Sequence, residues 1–260
     1  MNSSLIMIES INALFPDLLS ASESWFLILL AGFTSLLTAT LGIGGGALLL
    51  AVMAQIMPLA ALIPVHGFVQ FGSNFNRALL TWRHIDRPLL IQFMMGAVMG
   101  AVIASFIVVQ LPLTWIQMAV GFFILWIVWG PKPKGGGLSP KGAVVAGGLT
   151  TIISMFVGAT GPLVGGLVYR TGAEKLTKVA TMAAALTGQH LLKGVVFAFV
   201  GFSFVEWLPL IALMILSGAV GTWVGLNILH KMSSELFNQL FRLVITLLAL
   251  RLLWQGIQAF

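Results

Sequence analysis

Polar and ionisable side chains recur along one apolar stretch of the chain at intervals of three and four residues. They are His66, Gln70, Ser73, Asn74 and Arg77. Such spacing places side chains on one face of a helix, so the stretch predicts a helix with a single polar face. Ionisable groups inside an apolar span usually face the bundle interior or a cavity. There, imidazole, amide and guanidinium groups can donate hydrogen bonds to an anion.

A second polar set, Gln189, His190 and Lys193, lies in the other half of the chain. With Asn74 and Arg77, its members are candidate ligands of a small anion. Two interpretations of Arg77 stay open, because its position close to the next loop also allows its guanidinium to reach the membrane surface. His66 is equally compatible with a structural role. For Arg242 and Arg251, we favour anchoring at the membrane interface.

The acidic residues are confined to the N-terminal region, loops and segment ends. They are Glu9, Asp17, Glu23, Asp86, Glu174, Glu206 and Glu235. No carboxylate is therefore available at depth for a sodium site of that type or for a proton relay. Coupling to a proton or to sodium stays open; a proton would use His66 or His190, since histidine titrates near neutral pH. Cysteine is absent, which excludes thiolate metal sites, and we expect neither a metal nor a cofactor.

Two glycine-rich breaks, "GIGGG" and "GATGP", interrupt the apolar segments. Irregular backbone at membrane depth is tolerated where it is buried in protein or lines a watered cavity. The helix that follows each break starts with unpaired amide hydrogens and a positive dipole end, which attract anions. The predicted backbone ligands are Gly44, Gly45, Gly46, Thr160 and Gly161. The alternative is that these glycines permit close helix packing, and we prefer that interpretation for "GAVMGAVIA" and "GAVGTWVG".

The composition indicates a polytopic α-helical membrane protein. Hydrophobic residues make up 59% and charged residues 8% of the 260, and apolar runs of about 20 residues recur along the chain. The runs are continuously apolar rather than alternating, which favours helices over a barrel. The net charge of +6 comes from residues in short loops, so membrane topology explains it better than nucleic-acid binding.

An offset of 116 residues aligns the two halves. It pairs Gly32 with Gly148, Gly45 with Gly161, Asn74 with His190, and Arg77 with Lys193. We therefore predict an N-terminal extracytoplasmic segment, a first repeat, a cytoplasmic linker and a second repeat, with the boundaries 1–24, 25–130, 131–141 and 142–260. Each repeat reads as a broken or re-entrant helical hairpin followed by three transmembrane helices.

Lysine and arginine in the loops predict the orientation, since they favour the cytoplasmic side. The loop "WRHIDRP", the linker, "YRTGAEKLTK" and "HKMSSE" are predicted inside, and the N-terminus, "VVQLPLT" and "VGFSFVEW" outside. The second hairpin then enters and leaves on the cytoplasmic side. Because three spans follow each hairpin, the two halves have opposite orientations, which is typical of secondary transporters.

The breaks, the repeat, "NxxR" at Asn74 to Arg77 and "HxxK" at His190 to Lys193 resemble the TauE/SafE sulfite exporters, also called the TSUP family. The resemblance runs from about Trp25 to Trp254. It implies transport of a small sulfur-containing anion, such as sulfite, thiosulfate or sulfoacetate, across a bacterial inner membrane. A passive anion channel is the alternative. An intramembrane lipid-phosphate enzyme fits less well, because hydrolysis ordinarily requires an acid, a base or a metal site, and the apolar segments offer neither carboxylate clusters nor cysteines. The oligomeric state stays open.

Overall fold

The computed structural model describes residues 15–41, 44–108, 112–130, 139–168, 173–228 and 234–259. Within these ranges the regular structure is helical, with short 3-10 turns at Trp82–His84 and Val205–Trp207. The α-helices are α1 Ala21–Leu41, α2 Gly45–Ile56, α3 Leu59–Leu80, α4 Arg87–Val108, α5 Leu113–Trp129, α6 Pro140–Val157, α7 Gly161–Val168, α8 Lys175–Phe199, α9 Leu208–Ile228 and α10 Ser234–Gln258.

Several helices have the length and hydropathy of membrane spans. In the described part of the chain these are α1, α4, α6, α8 and α9. Their outer faces carry large apolar side chains, such as Leu29, Phe106 and Phe199, as expected of surfaces that contact lipid. The chain is therefore a multi-pass helical membrane protein, as its composition predicts.

The starts of α1 and α6 are fixed by capping. Ser20 and Glu23 cap each other, because the Ser20 backbone amide donates to the Glu23 carboxylate at 2.9 Å and the Glu23 amide donates to Ser20 Oγ at 3.3 Å. At α6, Ser139 Oγ accepts from the amide of Gly142 at 3.1 Å and Pro140 takes the first helical position. Helix α6 therefore begins inside the predicted linker 131–141, since proline suits a helix start as well as a break.

Helix boundaries repeat at the 116-residue offset. Three boundary pairs are separated by that number: the ends Leu41 and Val157, the starts Gly45 and Gly161, and the starts Leu59 and Lys175. Both breaks therefore occupy equivalent places in the two halves. The second short helix, α7, has 8 residues and a length of about 12 Å, which is too short to cross a hydrocarbon core of about 30 Å.

The two halves interlock. The first helix of each half packs on the fourth helix of the other, α1 on α9 and α6 on α4. Glycines allow this contact: a Cβ on Gly96 would collide with the carbonyl oxygen of Val144, and one on Gly221 with that of Gly32. These glycines belong to "GAVMGAVIA" and "GAVGTWVG", for which the sequence favoured a packing role.

Two further contacts between the halves join equivalent helices. Helices α3 and α8 pack together at the centre, and α5 packs on α10. Gln117 of α5 donates to the carbonyl of Leu252, whereas Trp129, further along α5, donates to Thr246. The partner residue moves backwards along α10 as the contact advances along α5, so these two helices are antiparallel.

Candidate functional site

Each break places a glycine in a backbone conformation that other residues rarely adopt. Gly44, just before α2, has φ of 110°, and Gly158, just after α6, has φ of 81°. Glycine reaches positive φ without the steric cost of a Cβ. The turn composition of "GIGGG" and "GATGP" thus has a local cause, because the chain must reverse within a few residues between one helix and the next.

The N-terminal ends of both short helices line one small cavity. Gly44, Gly46 and Ala47 contribute from the first hairpin, and Gly161 and Pro162 from the second. The cavity has a volume of about 30 Å³. One water needs about 10–15 Å³, so there is room for a small ligand only.

The central helices α3 and α8 add four polar side chains to the lining. Gln70, Asn74 and Arg77 come from α3, and His190 comes from α8. The amide nitrogen of Asn74 donates to the carbonyl of Gln70 at 2.8 Å, which turns its Oδ1 towards Arg77 Nη1 at 3.5 Å. Arg77 is 2% exposed, so its guanidinium does not reach the membrane surface. The structure thereby excludes the surface-anchor interpretation of Arg77.

Lys193 lies behind this lining and holds the second break. Its ammonium donates to the carbonyl oxygen of Gly158 at 2.8 Å. That carbonyl terminates α6, where the helix dipole favours a cation. The lysine stem passes over Gly67, where a Cβ would come within 2.7 Å of Lys193 Cδ. Glycine at position 67 therefore provides the space that this fully buried lysine occupies.

Gln189 and His66 also bind the breaks. Gln189 accepts from the hydroxyl of Thr160 at 2.6 Å, and its amide donates to Thr150 and Thr151 at 3.1 Å each. His66 Nε2 is 2.9 Å from the carbonyl oxygen of Gly46. A carbonyl only accepts, so this ring nitrogen carries the proton. Both side chains fix the backbone around the cavity.

The predicted site residues therefore fall into two groups. Those that line the cavity are Gly44, Gly46, Asn74, Arg77, Gly161 and His190. Those that lie outside its lining are Gly45, His66, Thr160, Gln189 and Lys193. Gly45 lies outside the lining because it packs against α1, where a Cβ at position 45 would collide with the carbonyl oxygen of Thr34.

The lining also contains six residues that were not candidates in the sequence: Thr38, Ala47, Ala159, Pro162, Met182 and Leu186. Two of them had a signal in the repeat: Met182 and Leu186 are 116 residues after His66 and Gln70. At these two equivalent positions, α3 therefore has polar side chains and α8 has apolar ones. Apolar residues are common in every span, so the residue type does not mark these two as lining residues. Only their place in the repeat does.

The lining is suited to an anion. Arg77 supplies a positive charge, glycine exposes backbone amides, and no carboxylate lines the described cavity. Helix N-termini and guanidinium groups are the usual donors to oxyanions. Among the residues that the structure describes, no group of histidine, aspartate and glutamate side chains is arranged to hold a metal ion.

Comparison with models of known protein families shows the family of this chain. The family model described as "Sulfite exporter TauE/SafE" matches residues 27–252. The chain belongs to this family. TauE/SafE proteins are membrane transporters, so the family resemblance predicted from the sequence is confirmed, and membrane transport of sulfur anions is the function that the family implies. The match extends from α1 into α10 and includes both breaks and every cavity residue. No curated protein and no solved structure matches the chain.

Proposed function

We propose that this TauE/SafE protein is a secondary transporter that binds a small sulfur-containing anion in the cavity between the two breaks. Sulfite, thiosulfate and organosulfonates such as sulfoacetate are the candidate substrates. One observation carries the proposal: the N-terminal ends of α2 and α7 and the guanidinium of Arg77 line the same cavity. Asn74 and His190 supply further polar contacts, while Thr160, Gln189 and Lys193 hold the second break in place.

An inverted repeat with alternating access is the transport mechanism that we propose. The antiparallel packing of α5 on α10, which are equivalent helices, supports it, because a two-fold axis that relates antiparallel helices is perpendicular to them. If the helices cross the membrane, that axis lies in the membrane plane. The cavity would then open to one side and afterwards to the other. We place the protein in a bacterial inner membrane, with the N-terminus outside.

Flux into liposomes tests the proposal. The full chain is reconstituted, and entry of isotopically labelled sulfite, thiosulfate and sulfoacetate is followed with protein-free liposomes as the control. We expect saturable entry of at least one anion and faster entry when the same unlabelled anion is inside. Single-channel currents without this acceleration would indicate a passive channel instead. Absence of flux for all three anions in a protein that elutes as one folded species would contradict the proposal.

The same liposome assay tests whether anion transport is coupled to an ion. No carboxylate lines the described cavity, which argues against a sodium site built from a carboxylate, so we propose that any coupling uses a proton at His190 or His66. A pH gradient across the liposome membrane should then change the rate of anion entry. A sodium gradient that changes the rate while a pH gradient has no effect would contradict proton coupling.

A further inference from the structure

The two central helices contribute unlike side chains to the cavity. Helix α3 lines it with polar residues, among them Gln70, whereas α8 lines it with Met182 and Leu186 and, one turn further on, with His190. Met182 and Leu186 stand where the first repeat has His66 and Gln70. The cavity therefore has a polar wall on α3 and an apolar wall, formed by Met182 and Leu186, on α8.

The starts of the two short helices differ in the same sense. A Cβ on Gly46 of α2 would lie 3.0 Å from Gln70 Oε1, whereas one on Gly161 of α7 would lie 3.8 Å from Leu186 Cδ1. Gly46 also has an amide hydrogen, while Pro162, at the equivalent position of the second repeat, has none. The start of α2 thus faces an amide side chain, and the start of α7 faces an apolar one.

The apolar wall is backed by the protein core. Met182 and Leu186 are 1% and 3% exposed, and they pack in one apolar cluster with Val164 of α7 and Phe93 of α4. A polar group pressed against this wall would lose its water without gaining a hydrogen-bond partner, which is costly. A methyl group would lose nothing there, because its removal from water is favourable.

We propose that Met182 and Leu186 are specificity-determining residues, which contact the uncharged substituent of the bound anion and select anions in which that substituent is apolar. The oxygens of the anion then face the polar wall and the start of α2. Pockets that combine apolar walls with a few polar groups orient their ligands in this way. The inference rests on the proposed function and adds the basis on which the site selects its substrate.

Two anions of equal charge and nearly equal size test this selection. Methanesulfonate and sulfamate are both monoanions at neutral pH, and they differ only in that a methyl group of the first is an amino group in the second. Calorimetry on the purified full chain measures both dissociation constants. We expect methanesulfonate to bind about tenfold more tightly, since a buried donor without a partner is costly.

Exchange of residues between the repeats identifies the apolar wall as the cause. Leu186→Gln copies Gln70 from the equivalent position of the first repeat and offers the amino group an acceptor, so it should abolish the preference. Leu186→Met keeps the wall apolar and should retain the preference. Leu191→Gln makes the same change at an exposed position of α8 and should also retain it.

A second variant covers the case in which Leu186→Gln does not fold. Met182→Gln changes the other residue of the wall with little change in shape, and it should reduce the preference for methanesulfonate. Both variants are compared with the unmodified protein by the ratio of the two dissociation constants. A general loss of stability weakens the binding of both anions alike and leaves this ratio unchanged.

Three results would overturn the selection and leave the proposed function standing, because anions still bind. They are equal affinities or tighter binding of sulfamate in the unmodified protein, a preference that survives in Leu186→Gln and Met182→Gln, and its loss in Leu191→Gln. If neither anion binds but labelled sulfite or thiosulfate enters liposomes, only the selection fails. If no anion binds or enters, the proposed function fails with it.

Discussion

Arg77 and Lys193 occupy equivalent positions of the two repeats, yet the fold uses them differently. Arg77 lines the cavity, while Lys193 binds the backbone carbonyl at the end of α6. A guanidinium offers several donors in a rigid plane that matches an oxyanion, whereas an ammonium is a compact charge that suits a single carbonyl. We therefore infer that Arg77 contacts the substrate and that Lys193 acts by holding the break.

Replacement of Arg77 should remove most of the anion affinity. Hydrogen bonds to charged groups contribute about 1.5–3 kcal/mol, so Arg77→Gln should weaken methanesulfonate binding by about tenfold or more. Arg77→Lys should recover only part of it, because the paired donors are lost. Calorimetry measures the dissociation constants. Arg83→Gln, at an exposed arginine in the following 3-10 turn, is the matched control, and equal affinity in Arg77→Gln and the unmodified protein would exclude Arg77 from the site.

Replacement of Lys193 should act on stability first. Lys193→Met leaves the Gly158 carbonyl without the lysine ammonium, at a cost of about 1–3 kcal/mol, and should lower the midpoint of thermal unfolding measured by tryptophan fluorescence. Lys141→Met removes an exposed lysine and should leave the midpoint unchanged. If Lys193→Met unfolds at the normal temperature but binds no anion, Lys193 is a substrate ligand rather than a positioning residue.

The sequence predicted which side chains gather around the breaks but not what each one contacts. His66, Asn74 and Arg77 share one helical face because of their spacing, yet only Asn74 and Arg77 line the cavity. His66 instead directs its Nε2 to the carbonyl oxygen of Gly46. Spacing specifies the face of a helix, whereas the partner that each side chain finds there is decided by tertiary packing.

At the scale of elements, the breaks are more informative than the spans. Apolar runs that end at glycine or proline indicate where helices lie, and the run from Leu113 to Trp129, for example, coincides with α5. It does not reveal that α1 packs on α9 and α6 on α4. Small residues mark a close contact without specifying the partner helix.

Two glycines of the second break should respond differently to alanine. Gly158 has positive φ, so Gly158→Ala should cost about 1–2 kcal/mol and lower both thermal stability and anion flux. At Gly161 a Cβ would meet only Leu186 Cδ1, at 3.8 Å. Gly161→Ala should therefore fold normally, but its methyl group narrows the cavity and should weaken binding. Thermal unfolding and calorimetry separate the two effects, and a stable Gly158→Ala with normal flux would show that the backbone conformation there is not required.

At the scale of the whole molecule, the interlocked halves limit the movements by which the cavity would open in the proposed transport cycle. Because α1 packs on α9 and α6 packs on α4, neither sequence repeat forms a separate body. The cavity lies between the two hairpins, beside the α3 and α8 contact. We therefore expect alternating access to involve movement across the contact between α3 and α8. The α1–α9 and α6–α4 pairs should stay together, because their glycines allow close packing.

The proposed inverted topology makes a direct prediction about which loops face outside. The chain has no cysteine, so single cysteines can be introduced without a background at four exposed positions: Asp17, Arg83, Glu174 and Ser203. In intact bacterial cells with a permeabilised outer membrane, a maleimide that cannot cross the inner membrane should label Asp17→Cys and Ser203→Cys. Arg83→Cys and Glu174→Cys should react only after the inner membrane is disrupted.

Labelling across the two repeats is the decisive comparison. The turn before α4 carries Arg83 and the segment before α9 carries Ser203, and these segments follow equivalent helices, α3 and α8. Opposite labelling of Arg83→Cys and Ser203→Cys is what an inverted repeat requires, because equivalent loops then lie on opposite sides of the membrane. Equal labelling of the two would indicate repeats of the same orientation, and would remove the basis for a cavity opened alternately from the two sides.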